Sequence, residues 1–198
     1  MRAFCFDLDG TLTTTEILPC IAAELGVSEE LATLTRVTME GLITFEESLR
    51  LRCAILGQVP CERVHAIVDE IPLDARLLAF VNEHREHCFI VTGNLDIWVA
   101  PLIERIGCRA FSSSARAEPG RVVLNEILDK GRAVAEIRAM GYSRIIATGD
   151  GSNDIPMLRA ADAAIAYGGV HSPTAAAIGA ANYVIHDGNT LCNLLSAL

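Results

Sequence analysis

From residue 74 onward, short apolar runs alternate with amphipathic stretches, and this alternation limits the fold more than any other feature. "DARLLAFVNEHRE" has helical spacing, and "CFIVTG" is a continuous apolar run of buried-strand length. "DIWVAPLIERIG" reads as a helix, "CRAF" as a strand, and "EPGRVVLN" as a turn with a short strand. "DKGRAVAEIRAMG" is a helix, "SRIIATGD" a strand and "NDIPMLRAA" a helix, while "AAIAYGG", "TAAAIGA", "NYVIHD" and "NTLCNLLSAL" continue the pattern. Strands that alternate with helices form a parallel sheet covered on both faces, joined by right-handed crossovers. The expected fold class is α/β, an open doubly wound parallel sheet.

The N-terminal third breaks the pattern. Residues 3–8 read as a first strand, but residues 15–70 show only helical periodicity: Ile17, Ile21 and Leu25; Leu31 and Leu34; Phe45, Leu49 and Leu56; Val64, Ile67, Val68 and Ile71. Gly26, Gly41, Gly57 and Pro60 punctuate these helices. The expected organisation is an α/β core of residues 1–13 and 75–198 with a helical insertion at 14–74. A length of 198 residues suits one domain carrying such an insertion.

Composition excludes several partners. The net charge of −9 and the absence of a dense basic run argue against nucleic acid or an anionic membrane. No apolar run reaches membrane-spanning length, and the N-terminus lacks a signal-peptide pattern. Seven scattered cysteines with no C-x-x-C pair indicate neither a zinc site nor a disulfide framework, so reduced thiols and a cytoplasmic location are expected. The sequence leaves the oligomeric state open.

In open parallel sheets ligands bind at the carboxyl ends of the strands, and polar residues gather there in this sequence. "FCFDLDGTLT" ends its strand with Asp7 and Asp9, "FIVTGN" with Thr92, Gly93 and Asn94, and "RIIATGDGSND" with Asp150, Asn153 and Asp154; Lys130 opens a helix between them. Each has an ordinary alternative: Asp, Gly and Thr as turn residues, Asn or Asp as caps, and Lys130 as a solvated side chain. A lysine in a first helical turn nevertheless opposes the helix dipole unless an anion lies nearby. Together the residues have the parts of a phosphoryl-transfer site. Asp7, Asp9 and Asp150 offer oxygen ligands to a hard cation such as Mg²⁺. One carboxylate can attack phosphorus, and a second can move the proton of the leaving oxygen. A hydroxyl, backbone amides and a lysine can neutralise the phosphoryl oxygens.

"DLDGT", the "VTG" strand end, the isolated Lys130 and "GDGSND" resemble, in order and placement, the four motifs of the haloacid dehalogenase superfamily of phosphohydrolases. The resemblance implies that Asp7 is the nucleophile and Asp9 the general acid/base. It implies Mg²⁺ ligands at Asp7, the Asp9 backbone carbonyl and Asp150, with Asp154 supporting the metal and Thr92, Gly93 and Lys130 holding the phosphate.

The inserted segment "TMEGLITFEESLRLRCAIL" resembles the cap of phosphoserine phosphatases, with Glu16, Met39, Phe45 and Arg52 at offsets of 9, 32, 38 and 45 from Asp7. By that resemblance Glu16 faces a substrate ammonium and Arg52 its carboxylate, Met39 and Phe45 close over it, and Asn153 orients it. The residues alone allow simpler roles: a Thr13–Glu16 capping box, Met39 and Phe45 as core, Arg52 reaching for water. Asn94 and Leu95 depart from the family's second motif and alter the expected pocket wall. The Thr92–Lys130 interval looks short for the family, as if a hairpin were trimmed. The five histidines (65, 84, 87, 171 and 186) match no motif position and read as structural or surface. The expected activity is Mg²⁺-dependent hydrolysis of a small phosphorylated metabolite, phosphoserine or a near relative. Phosphohomoserine or a sugar phosphate is the alternative, and a phospho-accepting receiver or an inactive binding protein is disfavoured by the insertion and by the intact Asp7 and Asp9.

Overall fold

The computed structural model describes all 198 residues except the side chain of Met39. Seven strands build one sheet: β1 (Arg2–Phe6), β2 (Cys88–Leu95), β3 (Arg109–Glu118), β4 (Arg121–Glu126), β5 (Arg144–Gly149), β6 (Ala163–Tyr167) and β7 (Tyr183–Ile185). Their spatial order is β4-β3-β2-β1-β5-β6-β7, so the first strand lies at the centre. It pairs in parallel with β2 (Phe4 opposite Cys88) and with β5 (Phe6 opposite Thr148). The ends of β1, β2 and β5 therefore lie side by side, and the polar motif residues share one edge of the sheet.

The parallel strands are buried on both faces, which explains their unbroken apolar character. Along β1, Phe4 and Phe6 enter one layer with Leu77, Trp98, Leu102 and Leu191, while Ala3 and Cys5 enter another with Val134, Ile137 and Leu158. Those residues come from α5 (Ala75–Glu83), α6 (Asp96–Ile106) and α10 (Gly188–Ala197) on the first face, and from α7 (Lys130–Ala139) and α8 (Ile155–Ala160) on the second. A short α9 (Ala175–Ala180) adds Ala177 to the second face.

Residues between β1 and α5 form four helices, α1 (Ile17–Leu25), α2 (Ser28–Met39), α3 (Phe45–Leu56) and α4 (Cys61–Asp69). Strand character in this block is limited to one bridge, Thr13 with Leu73, where the chain leaves and returns. α4 packs on α6 and α3 on β4. Ile17, Ile21, Leu49, Leu56 and Val64 share one apolar layer with Phe6 and Trp98, so the helical block is welded to the sheet side by common burial.

The structure corrects the sequence reading in three places. The sheet is not parallel throughout: β4 runs antiparallel to β3. The strand expected over "CRAF" extends to Glu118, and with β4 it makes a hairpin inside the interval expected to be trimmed. β1 ends at Phe6, because residues Leu8–Leu12 already form a tight turn. No described helix is long and apolar enough to cross a membrane, and all seven cysteines are free thiols.

Candidate active site

The turn after β1 is made by Gly10, whose φ of +75° is a left-handed conformation that side chains resist. A β-carbon there would also lie 3.1 Å from Glu16 Oε1 and 3.7 Å from Asp150 Oδ2. Thr13 locks the turn by accepting from Gly10 N (3.0 Å) and donating to the Leu8 carbonyl (3.2 Å). These bonds fix the backbone turn that carries Asp9 just after Asp7.

Asp7 is buried and faces Lys130, whose Nζ donates to Asp7 Oδ1 (2.5 Å) and to Asp154 Oδ1 (2.5 Å). Lys130 is only 2% exposed, so it is not the solvated lysine its helix position allowed. Asp129 caps α7 by accepting from Gly131 N (2.9 Å) and Arg132 N (3.1 Å), which fixes the first turn and its inward lysine. Asp154 serves two partners at once. Its Oδ2 accepts from Asp150 N (3.0 Å) and Gly151 N (2.9 Å), which shapes the turn after β5, and its Oδ1 takes the lysine.

Carboxylate oxygens of Asp7, Asp150 and Asp154 lie within 4.8 Å of one another, all buried. Burial, and then the Asp154 carboxylate, push Asp7 well above the ordinary carboxylate range against the pull of Lys130; the same two causes push Asp150 up to about 7. Burial alone would lower Lys130, but the Asp154 and Asp7 carboxylates outweigh it and hold the ammonium above its usual value. Three buried acids face Lys130, with the half-exposed His171 ring 3.4 Å from Asp150 Oδ2; burial and mutual repulsion raise Asp7 and Asp150, and all the ligating atoms these acids offer are oxygen. That donor set suits a hard divalent cation.

Asp9 lies beside this cluster. Its Oδ1 accepts from Ile17 N at the start of α1 (2.8 Å), and the Asn94 amide is 3.5 Å from its Oδ2. Burial, and then the Glu16 carboxylate, raise Asp9 well above the ordinary range, which favours its protonated form. Thr92 is buried at the end of β2; its Oγ1 accepts from Asn94 N (3.1 Å), leaving its hydroxyl proton available. Ser113 donates to the Gly93 carbonyl (2.8 Å) and accepts from Leu128 N (3.0 Å), so one buried hydroxyl ties the β2 end to the approach to Lys130. Sequence reasoning missed Ser113, whose only signal is a polar residue within the longer β3.

The helical block brings three of its four expected residues to this edge. A β-carbon on Gly93 would lie 2.7 Å from the Phe45 ring and 3.2 Å from Asn153 Nδ2, so these residues converge on the glycine. Arg52 is half-buried and donates to Ser48 Oγ (3.2 Å) and Thr35 Oγ1 (2.8 Å). It forms no ion pair among the described residues, although Asp9 and Glu16 are close enough to oppose the lowering that burial imposes on it. The Met39 side chain lies outside the described residues.

Three expectations change. The Thr13–Glu16 capping box does not form, because Thr13 serves the Gly10 turn and Glu16 makes no side-chain cap to α1. Glu16 Oε1 instead accepts from His171 Nε2 (2.7 Å), whose Nδ1 lies 3.4 Å from Asp150 Oδ2. That bond holds Glu16 below its ordinary value and pushes His171 up to about 9. His171 is therefore part of the site, whereas His65 meets the Ile97 carbonyl, His84 packs on Phe80 and His87 meets Tyr142. Finally, Leu95 points into the apolar core rather than lining the pocket, and of the two departures from the family motif only Asn94 faces Asp9.

Comparisons with known proteins place the chain among similar folds and sequences. A phosphoserine phosphatase of Methanocaldococcus jannaschii is 32% identical over 182 residues, covering 84% of this chain and 85% of that protein. The solved structure of a substrate-bound phosphoserine phosphatase complex superposes with a TM-score of 0.83 at 28% identity, covering 99% of this chain and 97% of the other. A phospho-aspartyl intermediate analogue of phosphoserine phosphatase gives a TM-score of 0.81 at 28% identity, over 99% and 98% of the two chains. Residues 4–159 match the family model of haloacid dehalogenase-like hydrolases. With three strand-end motifs and the Lys130 helix start gathered at one edge, and this match across most of its length, the chain belongs to the haloacid dehalogenase-like hydrolases.

Proposed function

We propose that this enzyme hydrolyses a phosphomonoester through an aspartyl-phosphate on Asp7, and that its substrate is phosphoserine or a closely similar phosphorylated amino acid. Asp7 attacks phosphorus as the ester bond breaks, and the leaving oxygen takes the proton held on Asp9. Asp9, now a carboxylate, removes a proton from the water that attacks the acyl phosphate, releasing inorganic phosphate and restoring Asp7. The raised proton affinity of Asp9 suits the first half of this cycle. Lys130, the Thr92 hydroxyl and the Gly93 backbone amide surround the transferring group and offset its charge.

The acidic cluster fits Mg²⁺. Asp7, the Asp9 backbone carbonyl and Asp150 would hold the ion, with Asp154 in support, and when bound it supplies positive charge against the phosphoryl oxygens. Residues 14–74 act as the cap that selects the substrate.

One observation carries the substrate class. Arg52 is a half-buried guanidinium held by two neutral hydroxyls, with no carboxylate of its own among the described residues, beside a site that also contains Glu16. An arginine so oriented is free to take a ligand carboxylate through two parallel hydrogen bonds, and Glu16 offers the opposite charge to an ammonium. The named activity of the relatives points the same way. Phosphate release across a panel of phosphoserine, phosphohomoserine, a hexose phosphate and an aryl phosphate tests the reading. Phosphoserine is expected to give the highest kcat/KM; preference for the hexose phosphate would overturn the substrate assignment, and no release from any compound would overturn the chemistry.

A further inference from the structure

Glu16 is held from the far end of the chain. His171 stands in the connection between β6 and α9, and its ring bond to Glu16 spans 155 residues of sequence. That connection is fixed at both ends: Gly168 N donates to the Ile185 carbonyl (2.8 Å), and Thr174 N donates to the Asp150 carbonyl (3.0 Å). Thr174 then caps α9 by accepting from Ala177 N (3.2 Å). The imidazole thus projects from backbone tied to the end of β5. The Glu16 side chain makes no bond to the N-terminus of the helix it begins, and its other close neighbour is the Asp9 carboxyl. The His171 and Glu16 side chains remain 41% and 38% exposed, which places their bond at the mouth of the site. A β-carbon on Gly10 would lie 3.1 Å from Glu16 Oε1 and 3.4 Å from His171 Nε2, so the pair closes directly over the turn that carries the catalytic aspartates.

A glutamate at a pocket mouth explores many rotamers, and ordering it on ligand binding opposes affinity. Anchoring Oε1 removes much of that cost, so the carboxylate is held ready at the mouth of the site. We propose that His171 is a positioning residue for ammonium recognition, acting through Glu16; this rests on the amino-acid phosphate reading above. Nothing in the local sequence marks it, because its partner belongs to the opposite end of the chain.

The test compares phosphoserine with 3-phosphooxypropionate, which has the same carboxylate and phosphate but no amino group. The ratio of kcat/KM for the two compounds reads ammonium recognition alone. His171→Ala is expected to lower that ratio about tenfold, as for loss of one charge-assisted hydrogen bond, with the change carried by KM for phosphoserine rather than kcat. His171→Gln, whose amide can still donate to Glu16, is expected to restore most of the ratio, whereas the shorter His171→Asn is not. In a Glu16→Gln background His171→Ala should produce little further change, since the partner through which it acts has lost its charge. If the alanine variant does not fold, the glutamine and asparagine variants carry the comparison. A ratio that stays at the wild-type value, a ratio that rises, or additive effects of the two substitutions would overturn this role while leaving the substrate reading intact. A wild-type enzyme that does not distinguish the two compounds would overturn both.

Discussion

The two sides of the site are built differently. On the sheet side, Asp7, Lys130 and Asp154 are each less than 5% exposed, and the lysine ammonium is fixed between Asp7 Oδ1 and Asp154 Oδ1. On the helical side, Glu16 is more than a third exposed, and Arg52 rests on two hydroxyls. The contrast teaches a division of labour. The reacting phosphoryl group is the same for every substrate of such chemistry, so its surroundings can be rigid and pre-formed. The remainder of the substrate varies, and the groups that meet it sit nearer solvent on an element that can diverge.

This division predicts that changes on the sheet side affect all substrates alike, whereas changes on the helical side discriminate. The largest effect is expected from Asp7→Asn, which keeps the shape and removes the attacking charge: turnover should vanish for phosphoserine and an aryl phosphate alike, with circular dichroism unchanged. Residual activity near wild type on either compound would break the sheet-side half of the comparison. Removing divalent metal with a chelator should also abolish both activities. In addition, Mg²⁺ should raise Tm, because a cation relieves the repulsion among Asp7, Asp150 and Asp154. A Tm indifferent to Mg²⁺ would show that those carboxylates do not hold it.

Effects on the helical side should be smaller and selective. Arg52→Ala is expected to weaken phosphoserine turnover by about 2–5 kcal/mol in kcat/KM, as for the loss of one partner from a desolvated charge pair, and to leave an aryl phosphate almost untouched. Glu16→Gln should show the same selectivity at smaller size, about 1–2 kcal/mol, because its partner stays more exposed to water. Equal losses on both compounds in either variant would erase the proposed distinction and make these residues structural.

The sequence made one of the two sides legible. Asp7, Asp150, Asp154 and Lys130 could be found because each stands at a strand end or helix start, where local pattern and the parallel-sheet rule agree. The helical side was readable only in part. Phe45 and Arg52 fell on expected positions, but the Thr13–Glu16 spacing suits a capping box that the Gly10 turn pre-empts. His171 was invisible because no local pattern links residue 171 to residue 16. β3 was under-read for a related reason: after Phe111 the run turns to Ser112, Ser113 and Ser114, and its strand character comes from pairing with β4 rather than from apolar periodicity.

The central place of β1 has a consequence for how the molecule comes into being. Its ladder partners begin at Cys88 and Arg144, so during synthesis the nucleophile's strand waits with both edges unpaired until β2 is made and with one edge open until most of the chain exists. Such non-local pairing makes closure of the sheet slow, and an apolar strand with two open edges invites association in the meantime. Pairing with β2 protects one edge, and only the arrival of β5 closes the other and brings Asp150 beside Asp7. Competence for chemistry therefore appears only with the late event that closes the second edge of β1, and a nascent or truncated chain ending before Arg144 would hold the nucleophile without Asp150 and Asp154.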